Sequence, residues 1–188
     1  LIRRICRDAR APEPPLAAAL GREARRLGIG RPPRLLVSEA ITTPALVGWL
    51  RTVILMPDWI VDEMPPERIR WLLGHELVHW KHMDPLGLLV RRAAQVLFWF
   101  HPAVWLAGRF WEESMERACD RALIGDMEQA RAYAKELYTI LSRLTQRPGF
   151  HAFGTGLFVT RTQVGRRIEL LLSDPMRVPA RLGAASLT

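Results

Sequence analysis

Cysteine is scarce in this chain. Cys6 and Cys119 are the only two in 188 residues, too few and too far apart in sequence for a disulfide framework, which favours a reducing compartment. Lysine is equally rare, with Lys81 and Lys135 alone. No apolar run reaches the roughly 18 residues a spanning helix needs. The longest candidate, Gln95 to Gly108, is broken by His101-Pro102 and bracketed by Arg91, Arg92 and Arg109, and it reads as a buried or interfacial segment. There is no secretory signal pattern and no internal repeat.

What remains is one domain's worth of chain, 49% apolar and 24% charged, able to bury a core without covalent staples. We expect a single domain over 1–188, with 175–188 as a tail. The basic residues are nearly all arginine, and the formal net charge is +8 with a pI near 10.8. Such a field attracts nucleic acid or an anionic membrane surface, or is simply an arginine-rich solvated surface with no partner, and composition does not choose among the three. The opening Leu1-Ile2-Arg3-Arg4-Ile5-Cys6-Arg7 resembles the basic flank on the cytoplasmic side of a membrane helix. The chain is therefore expected to be a cytoplasmic piece of a larger membrane protein.

A first helix is expected from Leu16 to Leu27, after the Pro12 to Pro15 breaker and before Gly28-Ile29-Gly30. Leu35-Leu36-Val37 and Ala45 to Met56, punctuated by Pro44, Gly48 and Pro57, read as short strands. From Pro65-Pro66 the spacing of Ile69, Leu72, Leu73, Glu76, Val78 and His79 is helical, with Asp84-Pro85 as its expected end. Helices follow from Leu86 to about Phe100, from about Ala103 to Ile124, and from a capping box at Asp126-Met127-Glu128-Gln129 to about Leu144. A last helix, capped by Thr160-Arg161-Thr162-Gln163, runs through Leu172. The expected class is α+β, mostly helical, with a small antiparallel sheet before the helix that starts at Pro65-Pro66.

That helix carries His75-Glu76-Leu77-Val78-His79. Histidines at i and i+4 lie one turn apart on one face, so both imidazoles reach a single cation. A glutamate beside the first histidine is placed to touch metal-bound water and act as general base. Burying two histidines and a glutamate in so apolar a helix is costly unless something satisfies them. The expected metal is zinc, although cobalt or manganese suits the same ligands.

A catalytic zinc needs a third protein ligand and an open position. Glu116 is the choice, since Glu116 and Asp120 share one helix face. Asp120 is then expected to accept a hydrogen bond from the far nitrogen of a ligating histidine. Glu112 and Glu113 read as a solvated face, and Cys119 as a small buried residue rather than a ligand. His82 lies at the edge of the site, while His101 and His151 have no partner at ligand spacing. Tyr133, Tyr138 and Arg109 are candidate oxyanion stabilisers.

Three motifs in order, His75 to His79 with Asp84, Trp99-Phe100-His101-Pro102-Ala103-Val104-Trp105, and Glu116-Arg117-Ala118-Cys119-Asp120, resemble the BlaR/MecR-type membrane metallopeptidases. Pro44, Gly48 and Ile54 to Pro57, then Tyr133 and Arg167-Ile168, extend the likeness over most of the chain. His101 stands where that family often has asparagine, and Arg51-Thr52 where it often has arginine-proline. The resemblance implies a gluzincin-like fold at the cytoplasmic face of the bacterial inner membrane, where such domains cleave a transcriptional repressor or themselves on a signal. The implied partners are a protein or peptide substrate, and a membrane reached through segments outside these 188 residues. An extended substrate is expected to join a sheet edge within Ala45 to Met56. The competing reading is a noncatalytic or latent basic module on DNA or anionic lipid, with direct nucleic-acid binding the less favoured.

Overall fold

In the computed structural model, residues 2–48, 51–146 and 161–173 are described. Prolines lie in the first turns of four helices, Pro66 as expected and Pro14, Pro85 and Pro102 where a break was expected, because an N-terminal turn needs no N–H from its first residues. Pro14 opens α2 (Pro14–Arg26), which follows a short α1 (Ile2–Asp8) absent from the sequence reading. Pro66 opens α4 (Pro66–Lys81) and Pro102 opens α6 (Pro102–Leu123), while Pro85 lies in the first turn of α5 (Asp84–Leu97). A one-turn α3 (Asp58–Glu63), also unexpected, precedes α4. The remaining helices are α7 (Met127–Gln146) and α8 (Arg161–Ser173). Asp126 caps α7 as expected, accepting from the Gln129 backbone N–H at 2.8 Å, while the Gln129 side chain reaches back to the Gly125 N–H at 3.1 Å.

Three strands, β1 (Arg34–Ser38), β2 (Ala45–Val47) and β3 (Val53–Pro57), form a sheet ordered β1-β3-β2. The α+β class holds, but the sheet is mixed rather than antiparallel throughout. β2 and β3 pair as an antiparallel hairpin, whereas β1 runs parallel to β3 with Leu36 opposite Leu55. Local alternation of residues reports a strand but not its neighbour's direction, which the chain's path decides. The hairpin turn requires glycine: Gly48 has φ +85°, and a Cβ there would lie 2.8 Å from the Arg51 carbonyl oxygen. The far edge of β1 is met by a backbone bridge between Arg10 and Val37. β2 is the outer strand on the other side, so the expected substrate edge narrows to Ala45–Val47.

Two apolar clusters meet along α4. Leu72, Leu73 and Leu77 pack with α2, the sheet and α3 through Leu20, Ile54 and Ile60. Trp71 and Val78, on the opposite side, pack with Leu123 of α6, Tyr133 and Leu137 of α7 and Leu171 of α8. From Trp71 to His79 the helix is buried on every side, so this stretch is not amphipathic, and its polar residues His75, Glu76 and His79 lie inside the protein. Each fully buried leucine there contributes about 1.5–3 kcal/mol from apolar transfer. Arg68 joins α4 to α7 through a two-pronged hydrogen bond to Glu136, its Nε and Nη2 at 2.7–2.9 Å from the carboxylate.

Two boundary expectations change. α4 ends at Lys81, before Asp84-Pro85, and the chain reverses through Met83 in the left-handed region at φ 58°. Asp84-Pro85 therefore begins the next helix instead of ending the previous one. The expected loop around Pro148-Gly149 with His151, the Thr160 cap and the 175–188 tail lie outside the described residues. No helix among the described residues is long and apolar enough to cross a membrane.

Candidate metal centre

His75 and His79 project from the same side of α4, and both are buried, at 8% and 6% exposure. Their Nε2 atoms stand 2.9 Å apart, with the rings edge to face. Glu116 reaches in from α6, one carboxylate oxygen 3.3 Å from His75 Nε2 and the other 3.7 Å from His79 Nε2. The three ligand-type atoms lie within 4.8 Å of one another. The residues expected from spacing alone are thus brought together by α4 and α6.

The far nitrogens have different partners. His79 Nδ1 lies 2.7 Å from Asp84 Oδ2, at the first residue of α5. His75 Nδ1 lies 3.3 Å from Asp120 Oδ1, the contact expected of Asp120. With each Nδ1–H directed at a carboxylate, both Nε2 lone pairs face the same small space, an arrangement that repels unless a proton or cation sits between them. Two imidazole nitrogens and a carboxylate suit a divalent cation of zinc's borderline softness.

Asp120 is buried at 3% exposure and is compensated from three elements. Tyr133 of α7 donates its hydroxyl hydrogen at 2.8 Å. Arg167 of α8 donates from Nε at 2.8 Å and from Nη2 at 2.6 Å, and its Nη1 lies 3.1 Å from Glu116. One guanidinium therefore neutralises both the carboxylate that orients His75 and the carboxylate offered to the cation.

These charges set the protonation states. Burial pushes Glu116 upward, but its hydrogen bond with His75 and the charges of His75, Arg167 and His79 outweigh that and hold it at about 2. Burial also opposes ionisation of Asp120, and Arg167 and His75 again prevail, leaving it well below the carboxylate range. For His75, burial and Arg167 push downward, yet the hydrogen bonds to Asp120 and Glu116 raise it to about 9. Glu76, 5% exposed, is shifted upward by burial, partly offset by His79 and His75.

Cys119 lies behind His79, its sulfur 3.3 Å from Nδ1 and 3.8 Å from Asp84 Oδ2. Burial, then Asp84 and Glu116, push its thiol far up, and its sulfur forms with His79 and Asp84 a second group of ligand-type atoms within 4.8 Å of one another. Among the other candidates, His82 is exposed, and His101 accepts from the Ala103 N–H at 3.3 Å at the start of α6. Tyr138 and Arg109 are exposed, while the Tyr133 hydroxyl, which donates to Asp120, also lies 3.3 Å from His75 Nδ1, on the side of the ring away from Nε2.

Two residues gain roles that the sequence reading did not give them. Asp84, taken as a helix stop, follows His79 by five residues and sits across the turn, a spacing that periodicity along one helix does not register. Arg167 lies 92 residues from His75, and only the folding of α8 onto α6 and α7 brings it near.

The profile of the BlaR1 peptidase M56 family matches residues 1–171. Among curated proteins, the chain is similar to the methicillin resistance mecR1 protein of Staphylococcus aureus, at 28% identity over 87 residues, which is 46% of this chain and 15% of that protein. It is similar also to the regulatory protein BlaR1 of Bacillus licheniformis, at 28% identity over 92 residues, covering 49% of this chain and 15% of that protein. The matched stretch is thus a small part of each relative.

Proposed function

The chain belongs to the BlaR1 peptidase M56 family, and from that premise we propose that it is a zinc endopeptidase domain whose metal is held by His75, His79 and Glu116. The family and its relatives support a metallopeptidase-type regulatory function. The finer reading rests on one observation, the two Nε2 atoms 2.9 Å apart with Glu116 beside them. Zinc bound there would supply a Lewis acid that acidifies water and polarises a carbonyl.

Glu76 acts as the base. Its carboxylate accepts a proton as water oxygen bonds to the scissile carbonyl carbon, then gives that proton to the amide nitrogen as the C–N bond breaks. Its upward shift on burial brings it closer to the range in which it can both take and return a proton near neutrality. Asp84 and Asp120 hold the two imidazoles in the tautomer that leaves Nε2 free. Arg167 keeps Asp120 and Glu116 ionised inside the protein. An extended substrate joins the outer edge of β2, the strand packed beside α4.

In this reading residues 1–188 act as a single domain at the cytoplasmic face of the bacterial inner membrane, cutting a repressor-type protein or its own chain. Metal analysis and a cleavage assay test it together. Parent protein and Glu76→Gln are expected to hold about one zinc each, while the variant loses cleavage of casein and of itself. Cleavage retained at the parent rate by the variant would remove Glu76 from its role. Failure of the parent to retain zinc would remove the ligand set.

A further inference from the structure

Helix α5 is turned the wrong way for a helix bathed in water. Gly87, Arg91 and Gln95 form an i, i+4 row that faces α6: a Cβ on Gly87 would touch Trp111, Arg91 pairs with Glu112, and Gln95 and Arg91 both lie against Gly108. Gln95 is only 4% exposed. The apolar row points outward instead, with Leu89, Val90, Val96 and Leu97 between 50% and 74% exposed. Phe98, Trp99 and Phe100 continue that surface around the turn, and Leu106 and Phe110 carry it along α6. A soluble monomer rarely leaves so continuous an apolar face open.

We propose that the α5–α6 hairpin seats in one leaflet of an anionic bilayer, tip first. Three features favour lipid over a protein groove as its occupant. Charge is the first: residues 93–108 contain no Asp, Glu, Lys or Arg, and the residues that flank them are Arg92 and Arg109, both exposed. The nearest carboxylates are engaged elsewhere, Asp84 with His79, Glu112 with Arg91, and Glu113 with Arg117 and Arg166. The outward charge bordering the apolar tip is therefore cationic and matches anionic headgroups.

Hydrogen bonding is the second feature. Hydrocarbon tolerates a turn only if its polar groups are satisfied from within. Here the Phe98 N–H donates to the Ala94 carbonyl, the His101 N–H to the Phe98 carbonyl and the Val104 N–H to the His101 carbonyl, at 2.9–3.1 Å. The His101 ring accepts from the Ala103 N–H, and the Trp105 indole donates to the Trp99 carbonyl at 3.0 Å. The turn thus keeps these polar groups paired internally while its large side chains point outward.

Length is the third. With Arg92 and Arg109 at the headgroups, the stretch from Arg92 to Phe98 rises about 9 Å, less than the roughly 15 Å of hydrocarbon in one leaflet, so the tip enters one leaflet without crossing. Trp105, one helical turn before Arg109, suits the interfacial zone that tryptophan prefers. Seating the tip would also fix the height of the candidate metal centre, because α5 begins at Asp84, which holds His79, and α6 carries Glu116 about 17 Å beyond Trp105 along its axis.

The test uses the 188-residue chain with vesicles of phosphatidylcholine alone or mixed with phosphatidylglycerol. Flotation and tryptophan quenching by brominated lipid are expected to report binding that is stronger on the anionic vesicles. The pair Trp99→Glu and Phe100→Glu, both exposed, is expected to keep the parent's circular dichroism and melting temperature while weakening binding at least about tenfold. The pair Arg92→Glu and Arg109→Glu is expected to abolish the preference for anionic lipid. No vesicle binding by the parent would overturn the proposal, as would equal binding by the tip variant. Concentration-dependent self-association that the tip variant abolishes, without vesicle binding, would assign the face to a second copy instead.

Discussion

His79 Nδ1 lies 2.7 Å from Asp84 Oδ2, so the second histidine of the motif is oriented by the first residue of the following helix. The left-handed Met83 between them makes the contact possible, because it reverses the chain within two residues of the end of α4.

Asp84→Ala is expected to weaken zinc binding about 10–100-fold, since His79 loses the acceptor that fixes its ring. Asp84→Asn, which keeps an acceptor but not the charge, should fall between parent and alanine. Competition with a chromogenic chelator measures both, and equal affinity in all three proteins would show that the contact does not orient a ligand.

Arg167→Met leaves Asp120 and Glu116 without their common cation in a buried setting. Breaking such a pair from one side costs about 3–5 kcal/mol, read as a lowered urea midpoint. Joint replacement of Arg167 by Met and Asp120 by Asn should recover part of the loss. A stability unchanged in Arg167→Met would mean that solvent already screens these carboxylates.

Acidity should act on the metal-free chain from both sides. His75 is raised to about 9 in the folded protein, so its stabilising contribution is complete below its ordinary value of 6.5 and is lost as pH rises through 9. Glu116 is lowered to about 2, so its contribution is present above its ordinary value of 4.5 and is lost as pH falls toward 2. Zinc competes for the nitrogen that carries the His75 proton, so affinity should climb from pH 6.5 to 9 with about one proton released. Calorimetry in buffers of different ionisation enthalpy counts that proton, and a pH-independent affinity would contradict the assignment.

Cys119→Ala is expected to keep the zinc stoichiometry of the parent and to cost about 1–2 kcal/mol from the small cavity it leaves. Loss of the metal in this variant would make the thiol a ligand.

By itself, the sequence determined the local chemistry of this protein. Helical spacing placed His75, Glu76 and His79 on one helix, paired Glu116 with Asp120 on another, and marked the cap at Asp126, because each of these depends on residues within one or two turns. The third motif and the apolar stretch after Arg92 were visible for the same reason. Only the tertiary structure decided what lies across a turn or between helices: the parallel direction of β1 against β3, Asp84 as the partner of His79, and Arg167 as the shared counter-charge of Asp120 and Glu116. It also decided that α5 buries Gln95 and exposes Val96, since periodicity reports that a helix has two faces but not which of them its neighbours cover. Those relationships depend on how the helices pack, and no local pattern of residues encodes the distance from residue 75 to residue 167.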